Sequence, residues 1–256
     1  MKRKLLVLTL LSAAVLSVGA AVLYNQTITA IYGSGNPNTG WTADTSNGIQ
    51  LALRGKGRDD GSTTNVAGVY SFPVGAPGRG SWNYDFSINS DVTNGVNPLS
   101  TYDYYLSADN DPSECISYTT VNALTYWADN EFGNNSTANG AGTNGTAATS
   151  PALAATNNVA QNSENITFGD YPGGPRPLAN ATYNYELYAV EKGAGPNGAR
   201  LASVGITVVA GDGGAACPTP ATAGQCKNDG WMTRTRMDAS PFKNQGDCIQ
   251  YVNTGK

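Results

Sequence analysis

The chain of 256 residues contains no histidine. That absence excludes Ser-His-Asp and Cys-His nucleophilic catalysis, HExxH zinc hydrolysis, and the histidine-ligated iron and copper centres. Charge is also scarce, with Asp, Glu, Lys and Arg making up only 13% of the residues. No GxxxxGK[ST] phosphate loop occurs, and no CxxC pair suggests a zinc site. After residue 23 no stretch is long and apolar enough to cross a bilayer as a helix. The net charge of −4 argues against nucleic-acid partners, which require a basic footprint. The chemistry left open is that of carboxylates, Tyr, Lys and Arg.

What is present begins with an export signal. Lys2, Arg3 and Lys4 precede an apolar run from Leu5 to about Val18, followed by small residues Gly19, Ala20 and Ala21. A basic n-region, an apolar h-region and a small-residue cleavage site make up a secretory signal peptide, here residues 1–20 with a cut after Ala20 or Ala21. The competing reading is an uncleaved anchor, since Leu5 to Leu23 is just long enough to span. Cleavage removes three basic residues and makes the remaining chain more acidic. What basic charge remains is concentrated near the C-terminus (Lys227, Arg234, Arg236, Lys243, Lys256), interspersed with Asp229, Asp238 and Asp247, so it reads as a solvated face.

The body, residues 21–210, reads as one all-β domain. Trp82, Tyr84, Phe86 and Ile88 alternate with Asn83, Asp85 and Ser87, the period of a half-buried strand. Thr182 to Val190 and Ala202 to Val208 repeat the pattern, and Gln26–Tyr32, Ile49–Arg54, Val66–Phe72, Tyr102–Ala108 and Asn165–Phe168 are further strand candidates. Gly, Pro and Asn clusters punctuate them, and no long helical periodicity appears. This predicts an antiparallel β-sandwich of immunoglobulin-like or jelly-roll-like type. Residues 133–158 are nearly all Gly, Asn, Ala, Thr and Ser, and are expected to form a mobile loop. Residues 211–225 read as a linker. Residues 226–256 read as a small module bracketed by two cysteines, with Asn244 and Asp247 opening a short helix and Gly255 closing it.

Four cysteines allow three pairings, and in an exported chain an even count suggests disulfides. Cys226 with Cys248 inside the module, and Cys115 with Cys217 joining a body loop to the end of the last strand, is the favoured set. The functional candidates are sparse. Asp109, Asp111 and Glu114 lie in an oxygen-rich cluster, Asp109-Asn110-Asp111-Pro112-Ser113-Glu114, that is a candidate Ca²⁺ site, although it lacks EF-hand spacing and an Asx turn explains it equally well. Tyr102, Tyr104, Tyr105 and Tyr118 would stack on sugar rings if exposed, against the alternative that they are core. The 19 acidic residues leave room for a glycosidase or lyase carboxylate pair.

Two regions carry a resemblance. Asn38-Thr39-Gly40-Trp41, Ala108-Asp109-Asn110-Asp111-Pro112-Ser113, Trp127-Ala128-Asp129-Asn130, Val159 to Asn165 and Leu201 to Ile206 make the body similar to secreted bacterial β-sandwich proteins, many of which end in a PEP-CTERM sorting tail. Cys226-Lys227-Asn228-Asp229-Gly230-Trp231 and Phe242 to Cys248 resemble a short C-terminal module of secreted bacterial proteins. The resemblance implies an exported bacterial sandwich and brings no catalytic residues. The PEP motif is missing here, so release outside the cell is expected. The leading expectation is therefore a non-enzymatic extracellular or surface module with no cofactor beyond the Ca²⁺ candidate, its partner a glycan or a cell-surface protein. A carbohydrate-binding module and a carboxylate glycosidase or polysaccharide lyase follow in that order.

Overall fold

The structure is a computed structural model that describes residues 21–76 and 78–256. The signal peptide expected over residues 1–20 lies outside the described residues.

Among the described residues thirteen strands form two stacked sheets. They are β1 (Leu23–Gln26), β2 (Trp41–Ser46), β3 (Ile49–Gly57), β4 (Asn65–Val66), β5 (Val69–Phe72), β6 (Trp82–Asn89), β7 (Tyr102–Asp109), β8 (Tyr118–Asn122), β9 (Glu131–Gly133), β10 (Thr143–Asn144), β11 (Val159–Asn165), β12 (Ala181–Glu191) and β13 (Arg200–Ala210). The seven-stranded sheet runs β1-β2-β3-β6-β11-β9-β10 and the six-stranded sheet β4-β5-β13-β12-β7-β8. Neighbours are antiparallel except β5 and β13, which run parallel with Thr207 opposite Val69. The chain is thus an all-β sandwich.

Period-two alternation puts the core where apolar residues repeat. Trp82, Tyr84, Phe86 and Ile88 of β6 are fully buried and face Tyr183, Tyr185 and Leu187 of β12 with Val204 and Ile206 of β13. Tyr84 stacks on Tyr185 with centroids 4.5 Å apart, and Trp82 meets Tyr185 edge-on at 6.3 Å.

The opposite face of β6 departs from a simple half-buried strand, because Asp85 and Ser87 are buried too. The segment after β1 lies over that face. Ile28, Ala30 and Tyr32 pack on Trp41, Ala43 and Ala52 as a second small core. This also explains why the ladder expected over Gln26–Tyr32 stops at Gln26. Beyond it, side chains satisfy the backbone: Ala30 N donates to Asn38 Oδ1 at 2.9 Å and Ile31 N to Gln161 Oε1 at 2.7 Å. The strand expected at Asn165–Phe168 lies just upstream, as β11. Its sequence, Val-Ala-Gln-Asn-Ser-Glu-Asn, is polar on both faces and hides the period.

Residues 133–158 are not a structureless loop. They hold the end of β9, all of β10 and a helix, α1 (Ser150–Thr156). Gly140 N and Gly142 N donate to Ala30 O and Ile31 O, both at 2.9 Å, which fastens this segment over the N-terminal cover. The small residues permit the approach: a Cβ on Gly142 would meet the Ile31 carbonyl oxygen at 2.9 Å.

The stretch 211–225 is tied to the body. Glu114 N donates to Ala215 O at 2.8 Å, and Cys115 is disulfide-bonded to Cys217. The Cys226–Cys248 disulfide packs with Phe242, Trp231, Ile249 and Tyr251 to form the centre of the C-terminal module. Its helix α2 (Gln245–Thr254) starts at Asn244, whose Oδ1 accepts from Asp247 N at 2.9 Å, and stops at Gly255 with φ 70°. Ile116 N donates to Met237 O at 2.7 Å and joins the module to the sandwich.

Candidate functional site

The candidate Ca²⁺ loop is built from backbone hydrogen bonds. Asp109 is fully buried, and its Oδ1 accepts from Ser117 N at 2.8 Å and Asp111 N at 3.1 Å. Its Oδ2 takes Asn184 N and Nδ2, both at 3.3 Å. Asp111 Oδ1 accepts from Ser113 N at 2.9 Å, and Glu114 is exposed. Among the described residues no three acidic or thiolate groups converge to hold a metal ion. The reason is physical. Asp109 closes an Asx turn and pins β12, so its lone pairs are already engaged.

The tyrosines separate by strand parity. Tyr104 is core. Tyr105 stacks on Tyr188 at 5.7 Å on the outer face of the six-stranded sheet, and the Arg200 guanidinium covers Tyr188 at 4.3 Å. Arg200 is in turn held by Glu186, with Nη2 to Oε2 at 2.9 Å. Tyr118, 42% exposed, is the open ring on that sheet. A flat aromatic platform for a sugar is therefore not assembled there, because the central ring already has a cation on its face.

Two ionisable clusters lie on the seven-stranded sheet. On its outer face, Asp85 Oδ2 accepts from Arg54 Nε at 2.8 Å, from the Tyr32 hydroxyl, and pairs with Lys56 Nζ at 3.4 Å. Arg54 also donates to Pro37 O at 2.6 Å and Thr39 O at 2.9 Å. Burial, then Asp85, pushes the Tyr32 hydroxyl well above its ordinary range. Burial lowers Lys56. Burial opposes the Arg54 charge, but Asp85 and Tyr32 outweigh it and hold Arg54 above its usual value. This cluster clamps the N-terminal cover to β3 and β6. On the inner face, Glu164 of β11 is 2% exposed and its carboxyl is pushed up to about 9, first by burial and then by Asp170 and Asp129. It lies opposite Tyr84 across the ladder, and the Tyr84 hydroxyl has no hydrogen-bond partner among the described residues.

One polar recess has no ionisable residue in its lining among the described residues. Two cavities of about 290 and 400 Å³ meet at Asn134 and Asn135, between the N-terminal cover, β11 and the 133–158 segment. None of the residues lining either one is ionisable. Amides and hydroxyls dominate the walls, with Ile28, Ile31, Val92 and Val159 between them. The amides are mutually locked. Asn158 Nδ2 donates to Asn135 Oδ1 at 2.7 Å and Asn89 Oδ1 at 2.9 Å, and Asn135 Nδ2 donates to Asp91 O at 3.0 Å. Gln161, fully buried, donates to Thr29 O at 2.8 Å and Ser87 Oγ at 3.0 Å. Asn158 Oδ1 is buried without a partner among the described residues. Such a lining can exchange hydrogen bonds with a neutral polyhydroxyl ligand, and it contains no group able to act as general acid, general base or nucleophile at neutral pH.

Sequence reasoning missed these amides. Asn134-Asn135 and Asn157-Asn158 sit in a stretch whose composition signals a loop, and Gln161 falls in the strand that alternation did not reveal. Compared with family models and with the sequences of curated proteins, the chain matches none. Fold and recess together define an all-β sandwich with an uncharged, amide-lined trough.

Proposed function

We propose that this is an exported, non-enzymatic binding module that takes a neutral oligosaccharide in the trough at Asn134 and Asn135. The observation that carries the reading is the complete lack of ionisable side chains in a pair of adjoining cavities lined by preorganised amides. Neutral sugars present hydroxyl donors and acceptors with apolar ring faces, which amides and interspersed Ile and Val complement. Because the amides are already fixed by one another, little side-chain entropy is lost on binding. The two disulfides fit an oxidising compartment, and the basic and apolar start of the chain supplies the route there.

A glycan array on the chain lacking residues 1–20, followed by calorimetry with the best ligand, tests the reading. Binding to neutral oligosaccharides that Asn135→Ala weakens about tenfold or more is expected. Binding that ignores Asn135, or no binding to any neutral glycan, overturns it.

A second reading, a carboxylate hydrolase, has one observation in its favour, the raised pKa of Glu164. Loss of glycan-cleaving activity in Glu164→Gln, with the fold intact, would replace the binding reading.

A further inference from the structure

A separate cavity opens at the end of the six-stranded sheet, where the start of β7, the end of β8, the residue after β12 and helix α1 converge. Its volume is about 190 Å³. Tyr102, Leu124, Pro151 and Ala154 supply carbon walls, and Tyr104 forms part of the lining. The walls are firm. Tyr102 meets Tyr104 edge-on at 6.4 Å, and Leu124 and Ala154 belong to the main core. An apolar cavity of roughly 150 Å³ holds one benzene ring, so this one admits a single six-membered ring with a small substituent.

The two charged residues of the lining, Asp103 and Lys192, pair with each other. Lys192 Nζ donates to Asp103 Oδ1 at 2.7 Å, and Gly193 N donates to Asp103 Oδ2 at 2.8 Å. Asp103 is therefore fixed as a carboxylate, held below its usual range by its hydrogen bonds to Lys192 and Gly193 against the opposing effect of burial. An ammonium has three donors and Asp103 uses one of them. The Lys192 side chain is 61% exposed, so its remaining donors are free to reach a ligand at the rim. Asn122, also in the lining, accepts from Leu124 N through Oδ1 at 3.0 Å, which turns its amide NH₂ away from that backbone bond. Carbon walls sized for one ring, with the Lys192 ammonium beside them, complement a ring that carries an acceptor.

We infer that this cavity binds a small monocyclic aromatic carboxylate, its ring between Tyr102, Leu124 and Ala154 and its carboxylate on Lys192. Its lining shares no residue with the trough, and the inference does not rest on the glycan reading.

Phenylacetate is the probe, titrated into the full folded protein with ¹³C-labelled Leu and Ala methyls. Saturable shifts of the Leu124 and Ala154 methyl signals are expected. Lys192→Met, a change at an exposed side chain, is expected to weaken binding at least tenfold, and toluene, which lacks the carboxylate, to bind at least tenfold more weakly. Ala154→Phe fills the cavity and is expected to abolish the shifts at Leu124, with a retained cooperative melting transition as the check on folding. Shifts that do not saturate, that persist in Ala154→Phe, or that Lys192→Met leaves unaltered overturn the inference.

Discussion

Arg54 Nε donates to Asp85 Oδ2 at 2.8 Å with neither side chain exposed to water. The two residues face each other across β3 and β6, and the Tyr32 hydroxyl donates to the same Asp85 oxygen. A charge pair at this depth exists because the N-terminal segment closes over it. Removing one partner leaves an uncompensated charge there.

Asp85→Asn is accordingly expected to destabilise the fold by about 3–5 kcal/mol, since Arg54 and Lys56 lose their common anion. Urea denaturation measures it. A loss below about 1 kcal/mol, the size of a surface pair, would show that the clamp is not desolvated as described.

Stability is expected to fall as pH rises through the interval bounded by the ordinary carboxyl value of 4.5 and the folded value of about 9 for Glu164. The folded state binds the proton more tightly than the unfolded state, so between those limits the native form holds more protons and ∂ΔG/∂pH is negative. Glu164→Gln should flatten this slope and gain stability on the order of a few kcal/mol at pH 9 relative to pH 5. Thermal melts of both proteins across that range provide the comparison. Parallel curves would mean that Glu164 ionises freely in the fold.

The double substitution Cys226→Ser and Cys248→Ser opens a loop of 22-residue separation, worth roughly 3 kcal/mol in the chain-entropy model. The module has only Phe242 and a few partly buried residues beside that bridge. Hydrogen exchange should therefore show α2 losing protection while β6 and β12 keep theirs. Retained protection in α2 would mean that docking through Ile116 and Met237 suffices.

Asp109→Ala should cost more stability than calcium chelation. The carboxylate receives four N–H donors from Asp111, Ser117 and Asn184. Losing them should lower stability by about 3 kcal/mol or more, whereas EDTA should leave the melting temperature unchanged. A clear drop with EDTA, reversed by Ca²⁺, would restore the metal reading of this loop.

Much of the sandwich is legible in the chain itself. Trp82-Asn-Tyr-Asp-Phe-Ser-Ile and the alternation in Thr182–Val190 and Ala202–Val208 encode β6, β12 and β13 because a pleated strand points successive side chains to opposite faces. The missing histidine likewise settles which catalytic chemistries are impossible, since a side chain that is not encoded cannot be supplied by folding. What alternation cannot tell is whether the second face meets water or another layer. Asp85 and Ser87 look like solvent residues, and Gln161 looks like a loop residue, until residues 27–40 lie against them. Only the tertiary structure decides this, because burial of a polar side chain depends on partners more than 50 residues away: Tyr32 for Asp85, and Ile31 for Gln161. The trough arises the same way, from amides that composition assigns to a loop and that long-range hydrogen bonds hold in place.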